Sequence, residues 1–326
     1  MAVYGVIGLG SIARRHLGNL RHMHPEGVLY AVSASGINKD IPANVSGVVS
    51  IEQLISFNPE YVIVASPASF HVNAAQTILA HQIPVLIEKP LAHDAVSGAL
   101  LQRYCYEHKI NTTVAVGYCL RFMQSSRVVQ EFLATNTLGK IYNVSSIVGQ
   151  YLPSWRPEKD FKNTVSAQKK LGGGALLELS HELDYLQWLF GDLTLQHSSL
   201  RNSLEFDLDV EDMADLTLST STGIHINVHL DFVQKTSQRK CQIIGKNGRV
   251  DWDLIANSVT YYNAEGQEIL YSEPKYDKNN MYIRMLQEFE CCLHKKGINL
   301  ASIDSSVKIL ELIDAAKQQN ERRSFN

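Results

Sequence analysis

Ala2-Val3-Tyr4-Gly5-Val6-Ile7-Gly8-Leu9-Gly10-Ser11-Ile12-Ala13 is an apolar run that breaks at a glycine-bearing turn and continues as a helical pattern. Residues 2–7 suit a buried parallel strand. Beyond the turn, Ile12, Leu17 and Leu20 can share one helix face. In such a strand–turn–helix unit Gly8 permits the tight turn, and Gly10 lets the backbone approach a pyrophosphate. A small residue at 13 lets helix and strand pack closely. Ser11 and Ile12 open the helix, where free N–H groups and the positive dipole end face the phosphates. A glycine-rich turn alone is common. The strand before it and the helix after it are what point to a dinucleotide site.

The alternation continues down the first third of the chain. Strands are expected at 28–33, 61–65, 84–87 and 111–117. Helices are expected at 51–57, 69–81 and 94–108, the last with Asp94 as its N-cap. Strands alternating with helices imply a doubly wound parallel sheet, in which ligands bind beyond the carboxyl ends of the strands. Gly8, Ser33, Pro67 and Lys89 all fall at such ends. Ser66 and His71 lie beside Pro67, and Glu88 precedes Lys89, so these join the candidate cofactor residues. An NAD-preferring site ends its second strand on Asp or Glu for the ribose diol. Here Ser33-Ala34-Ser35-Gly36 has no acid before Asp40. The hydroxyls of Ser33 and Ser35, with Lys39 or Arg14, suit a 2′-phosphate, so NADP is expected ahead of NAD. Read blandly, both serines are turn residues.

The pattern changes near residue 120. A helix is expected at 124–134, a strand at 140–150, then a long polar loop over 151–170 carrying Trp155, Arg156 and Pro157. Loops of that length are commonly functional, and Trp155 beside Arg156 suits a polar ligand. Gly172-Gly173-Gly174 then leads into one amphipathic helix closed by Gly191. On that helix Glu178, His181 and Asp184 are spaced i, i+3, i+6 and share a stripe. A histidine flanked by carboxylates can serve as an acid/base; the alternative is a solvated charged face. A di-iron site would need a second E-x-x-H and a zincin a second histidine, and the sequence has neither. Strands then dominate: 193–200, 213–220, 224–232, 238–244, 249–252 and 258–262, with Asn247-Gly248 as a hairpin signal. Helices at 279–294 and 305–319 follow. The expected architecture is a Rossmann domain over 1–119 and an α+β domain with a large, mainly antiparallel open sheet over 120–326. The open sheet face would pair with another copy, giving a homodimer or homotetramer.

Composition narrows the function. With 30 basic and 33 acidic residues the formal net charge is −3, which argues against nucleic acid as a partner. Five cysteines, none in CxxC spacing, fit a reduced cytoplasmic protein without a disulfide framework or a metal site. The opening strand leaves no room for a signal peptide, and no run reaches the roughly 18 apolar residues of a membrane span.

Taken together, GLGSIARRH at 8–16, SPASFH at 66–71, EKPLA at 88–92, VGYCLRF at 116–122, LGK at 138–140 and GGGALLELSHELDYLQWLFG at 172–191 resemble the glucose–fructose oxidoreductase / inositol dehydrogenase / MocA family. The resemblance runs over most of the chain. It implies NAD(P)-dependent oxidation of a secondary alcohol on a sugar, cyclitol or nucleotide sugar. It assigns Lys89 to the position beside nicotinamide and substrate hydroxyl, and His181 to the other half of the proton relay. The family pattern after the glycines is D-x-x-x-H-x-x-D. Aligned on His181, the family acid falls on Leu177, one position before Glu178; aligned on the glycines, it falls on Glu178, with one residue fewer before the histidine. His181 and Asp184 therefore carry over directly, while Glu178 depends on the alignment. Tyr118, Arg121, Trp155 and Arg156, with His181, are the candidate substrate contacts. Two other readings stand beside this one: a dinucleotide-binding sensor of the same fold without turnover, and an enzyme with tightly held cofactor that shuttles hydride between two sugars or catalyses a net-redox-neutral elimination.

Overall fold

The computed structural model of the chain describes residues 1–33, 40–158, 160–294 and 299–324. The chain divides into two compact units, Met1–Cys119 with Met281–Leu310, and Leu120–Asn280 with Glu311–Asn326.

The first unit is built on strands β1 (Val3–Ile7), β2 (Val28–Val32), β3 (Ser46–Gly47), β4 (Tyr61–Val64), β5 (Val85–Glu88) and β6 (Val114–Gly117). They form one parallel sheet in the order β3-β2-β1-β4-β5-β6. This is the doubly wound Rossmann order, with its crevice where the direction of winding reverses, between β1 and β4. Every residue of β4 and β5 is buried, which explains why they read as unbroken apolar runs rather than alternations. Helices α1 (Ser11–Met23), α2 (Ile51–Ser56), α3 (His71–Leu79) and α4 (Ala95–Glu107) connect the strands. Asp94 caps α4 as expected, its side chain accepting from Ser97 N–H at 2.7 Å. The sequence reading does not include β3, whose two residues are too short to carry a period. Residues 281–294 and 299–310 return to this unit. Val116 N–H donates to Ala301 O at 2.9 Å, which covers the outer edge of β6. Glu290 accepts from Tyr61 Oη at 2.8 Å and meets His24 Nε2 at 2.7 Å.

The second unit carries β7 (Ile141–Gly149), β8 (Leu193–Arg201), β9 (Met213–Thr220), β10 (His225–Asp231), β11 (Gln238–Gly245), β12 (Gly248–Asp253), β13 (Ser258–Asn263) and β14 (Gly266–Ser272). Its order is β14-β13-β12-β11-β7-β10-β9-β8, antiparallel except where β7 runs parallel to β10. The β11–β12 hairpin turns at Lys246-Asn247, with Gly245 opposite Gly248, where the Asn247-Gly248 signal places it. Burial alternates strictly along β9, the signature of a sheet with one covered face. On the covered face lie α5 (Gln124–Ala134), α6 (Ala175–Glu178), α7 (His181–Phe190) and the C-terminal part of helix Ile303–Ser324. The links are specific. Tyr185 Oη meets Ser146 Oγ at 2.7 Å and the Tyr185 ring meets Trp252 edge-on at 4.9 Å. Ser198 Oγ donates to Ala316 O at 2.9 Å. The opposite face carries partly or fully exposed Asn143, Ser145, Thr217, His225 and Asn227.

Three features depart from the sequence reading. Strand β14 has no counterpart in it, because most of its residues are exposed and polar ones interrupt the pattern. Residues 151–170 are not an open loop but a chain of 3₁₀ turns at Leu152–Trp155, Phe161–Asn163, Val165–Ala167 and Lys169–Leu171. The expected single helix after the glycines is two helices, broken at Leu179–Ser180, because each is anchored separately. The start of α6 is held by Glu211, which accepts from Leu176 N–H at 3.1 Å. The α7 helix is held by Tyr185 and by Glu182, whose fully buried carboxylate takes two bonds from Arg239 at 2.6 and 2.9 Å. Among the described residues no helix is long and apolar enough to cross a membrane.

Breaking a buried ion pair from one side costs more than the pair contributes, because the remaining charge is stranded. Arg239→Met is expected to destabilise the second unit by about 3–5 kcal/mol. Adding Glu182→Gln should recover most of that loss in urea denaturation. Equal stabilities for the single and double variants would contradict this.

Candidate active site

The turn after β1 is demanded by crowding. Gly8 sits at φ +121°, and a Cβ there would lie 2.4 Å from Ala65 O. Its N–H donates to Val32 O at 2.8 Å, so the end of β1 is wedged between the ends of β2 and β4. Gly10 differs: a Cβ on it would meet nothing within 4 Å. It is the N-cap of α1, makes no side-chain cap, and no acid lies in the first helical turn. The leading N–H groups of α1, at Ser11 and Ile12, thus have open space before them and no competing carboxylate, which fits a pyrophosphate. Beside it lies a 280 Å³ cleft lined by Ile7, Val32, Ser33, Ser66, Phe70 and Asn73 among others. Ser66 Oγ is buried there without a hydrogen-bond partner, a polar atom suited to a ligand. These residues fit a dinucleotide. Arg14 is engaged by main chain, donating to Leu9 O at 3.1 Å and Asp40 O at 2.6 Å. Ser35 lies outside the described residues.

At the end of β5, Glu88 is buried and both its oxygens are occupied. His16 Nε2, from α1, lies 2.6 Å from Oε1, and Lys89 N–H donates to Oε2 at 3.1 Å. The Lys89–Pro90 peptide is cis. His71, the first residue of α3, has Nδ1 at 2.9 Å from Pro90 O and Nε2 at 2.8 Å from Ser66 O. Burial pushes the His71 pKa down, while the carbonyls of Ser66 and Pro90 and the Glu88 carboxylate act in the other direction. Thus Gly8, Ser33, Ser66-Pro67 and Lys89 gather at the carboxyl ends of one parallel sheet. Glu88 and His71 stand behind them with their polar atoms held by the protein itself.

In the second unit the triple glycine is explained by the chain rather than by a ligand. A Cβ on Gly173 would lie 2.5 Å from Val165 O, and one on Gly174 (φ +105°) 2.5 Å from Glu211 Oε1. The glycines let the 3₁₀ segment and the Glu211 carboxylate close over the start of α6. Burial raises the pKa of Glu211, and nearby Lys317 and the Leu176 N–H lower it. Glu178, at the end of α6, accepts from Ser166 Oγ at 2.9 Å. His181 is the first residue of α7 and 9% exposed. Asp184 is bound at both oxygens by Arg121, at 2.8 Å from Nε and 2.6 Å from Nη2, with both side chains buried. Burial raises the Asp184 pKa and the guanidinium pulls against it. Arg121 and Arg127 both approach the Trp188 ring, at 5.8 and 5.7 Å. The structure therefore brings together two residues read separately, Arg121 and Asp184. Trp155 packs edge-on against Phe232 at 5.3 Å, Arg156 is exposed, and in the first unit Tyr118 is buried just past β6. Sequence reasoning missed His16, Glu182 and Glu211. His16 lies within the quoted GLGSIARRH stretch, whereas nothing near Glu211 in sequence marks it as a partner of α6.

Residues 3–118 match the profile described as "Oxidoreductase family, NAD-binding Rossmann fold", and residues 126–251 match the "GFO/IDH/MocA C-terminal domain". A curated relative is the rhizopine catabolism protein MocA of Rhizobium meliloti, 28% identical over 131 residues. That match covers 40% of this chain but only 38% of the relative, so the chain spans well under half of that relative's length. Inositol 2-dehydrogenase of Ralstonia nicotianae is 24% identical over 261 residues, covering 75% of this chain and 72% of that one. Among solved structures, a levoglucosan dehydrogenase in complex with NADH and levoglucosan superimposes with a TM-score of 0.84 at 14% identity, covering 98% of this chain and 97% of that one; at that identity the likeness speaks for the fold. With both profiles matched in chain order, the chain belongs to the GFO/IDH/MocA oxidoreductase family.

Proposed function

We propose that this protein is an NAD(P)-dependent oxidoreductase that oxidises a secondary alcohol of a sugar, cyclitol or nucleotide sugar. The observation that carries the reading is the arrangement at the sheet's carboxyl ends. The open N-terminus of α1, the orphaned Ser66 hydroxyl and Lys89 lie around strand ends of one crevice-forming sheet. When bound, the nicotinamide supplies the hydride acceptor. Lys89 and His181 polarise the substrate hydroxyl and relay its proton. The Arg121–Asp184 pair holds α7, the helix that begins at His181, so its role is positioning. Tyr118, Trp155 and Arg156 remain the candidates for gripping substrate, with residues 1–119 serving the cofactor and 120–326 the substrate and self-association.

NADP is the favoured cofactor form, because β2 runs into Ser33 rather than an acid and Arg14 lies in the first turn of α1. The polar, solvent-facing side of the eight-stranded sheet is the surface proposed to pair two or four copies; a monomeric mass in light scattering would contradict it. Thiols at all five cysteines support a reducing, cytoplasmic compartment.

Lys89→Ala should leave cofactor binding nearly intact and cut turnover by roughly a hundredfold or more; full activity in the variant would remove Lys89 from the mechanism. In separate fluorescence titrations NADPH should bind more tightly than NADH, and Ser33→Asp should reverse that order through repulsion of the 2′-phosphate. Tighter NADH binding by the wild type would overturn the NADP preference.

A further inference from the structure

His71 is the side chain whose contacts go furthest beyond this reading. It is 1% exposed, and each of its ring nitrogens faces a carbonyl oxygen, Pro90 O at 2.9 Å and Ser66 O at 2.8 Å. A neutral imidazole carries one N–H and one lone pair. The neutral ring would therefore press a lone pair against a carbonyl oxygen in a buried setting, where mismatched polar groups are costly. The doubly protonated ring donates to both. A buried charge also needs compensation. Burial opposes that charge and lowers the pKa of the ring, and the two carbonyl dipoles and the Glu88 carboxylate, itself bound to His16, act in the opposite direction.

We propose that His71 is a buried imidazolium that acts as a positioning residue, binding the Ser66–Pro67 turn to the Lys89–Pro90 turn so that the ends of β4 and β5 form one rigid rim. Both turns carry candidate site atoms. Ser66 lines the cleft beside β1 and β2 and has a buried hydroxyl without a partner, and Pro90 follows the lysine assigned to the proton relay. One ring thereby sets the spacing between cofactor-facing and proton-handling groups. The ring state is independent of the proposed reaction; the importance of Lys89 rests on it.

The test has two arms. In ¹⁵N-labelled wild-type protein, with ring signals assigned through bonds, both nitrogens of His71 should carry protons at neutral pH. A lone-pair signal from either nitrogen overturns the imidazolium. In kinetics, His71→Asn, which can reach one carbonyl but not bridge both, should lower kcat by about tenfold or more. The KM for cofactor should stay within about threefold, a split that general destabilisation would not give. Unchanged kcat in the folded variant overturns the positioning role. If the wild type oxidised no substrate, the proposed reaction would fail while the nitrogen signals still decided the state of His71.

Discussion

The strand-end site depends on one buried carboxylate. Glu88 is the last residue of β5 and holds two elements at once: its Oε1 meets His16 on α1, and its Oε2 accepts the N–H of Lys89. Helix α1 and the turn that carries Lys89 are therefore fixed to the same side chain. Its surroundings leave no slack. A Cβ on Gly117, in the neighbouring strand, would lie 3.3 Å from the Glu88 carboxyl. A buried charge with both oxygens bonded is tolerable, whereas removal of one partner strands the other. Glu88 thus ties the end of β5 to α1 through its own side chain.

In the second unit, too, buried side-chain pairs fix the elements. Asp184 keeps the place that the family pattern assigns to it, yet both its oxygens are bound to Arg121. Glu182, fully buried, is bound to Arg239. These two pairs, with Tyr185 on Ser146, lock α7 and leave His181 at its leading end. The glycines before α6 serve chain crossing, since Glu211 and the carbonyls of Val165 and Ser166 fill the space a side chain would need.

Much of this was legible in the sequence, for identifiable reasons. Strands buried on both faces read as continuous apolar runs, so β1, β4 and β5 were evident. Gly8 and Lys89 stood out because each breaks such a run at its carboxyl end. The two-residue β3 and the exposed β14 carry no period, so pattern alone does not find them. Side-chain pairing was the harder problem. Arg121 and Asp184 are 63 positions apart, and periodicity within one segment says nothing about a partner in another. For the same reason the internal bonds of Glu88 and His71, to His16, Lys89 N–H and the carbonyls of Ser66 and Pro90, are visible only in the fold. The break between α6 and α7 was hidden because the leucine spacing across it still follows a helix.

The central claim is that this site removes a hydride from a carbinol carbon. The most direct measurement is single-turnover formation of reduced nicotinamide over a panel of sugars, cyclitols and nucleotide sugars. The best substrate is then compared with its counterpart deuterated at the reacting carbon. The account predicts cofactor reduction by at least one member of the panel, slowed by a primary isotope effect. Cofactor that binds tightly yet is reduced by none of them would contradict it and favour a sensor that keeps the fold without turnover.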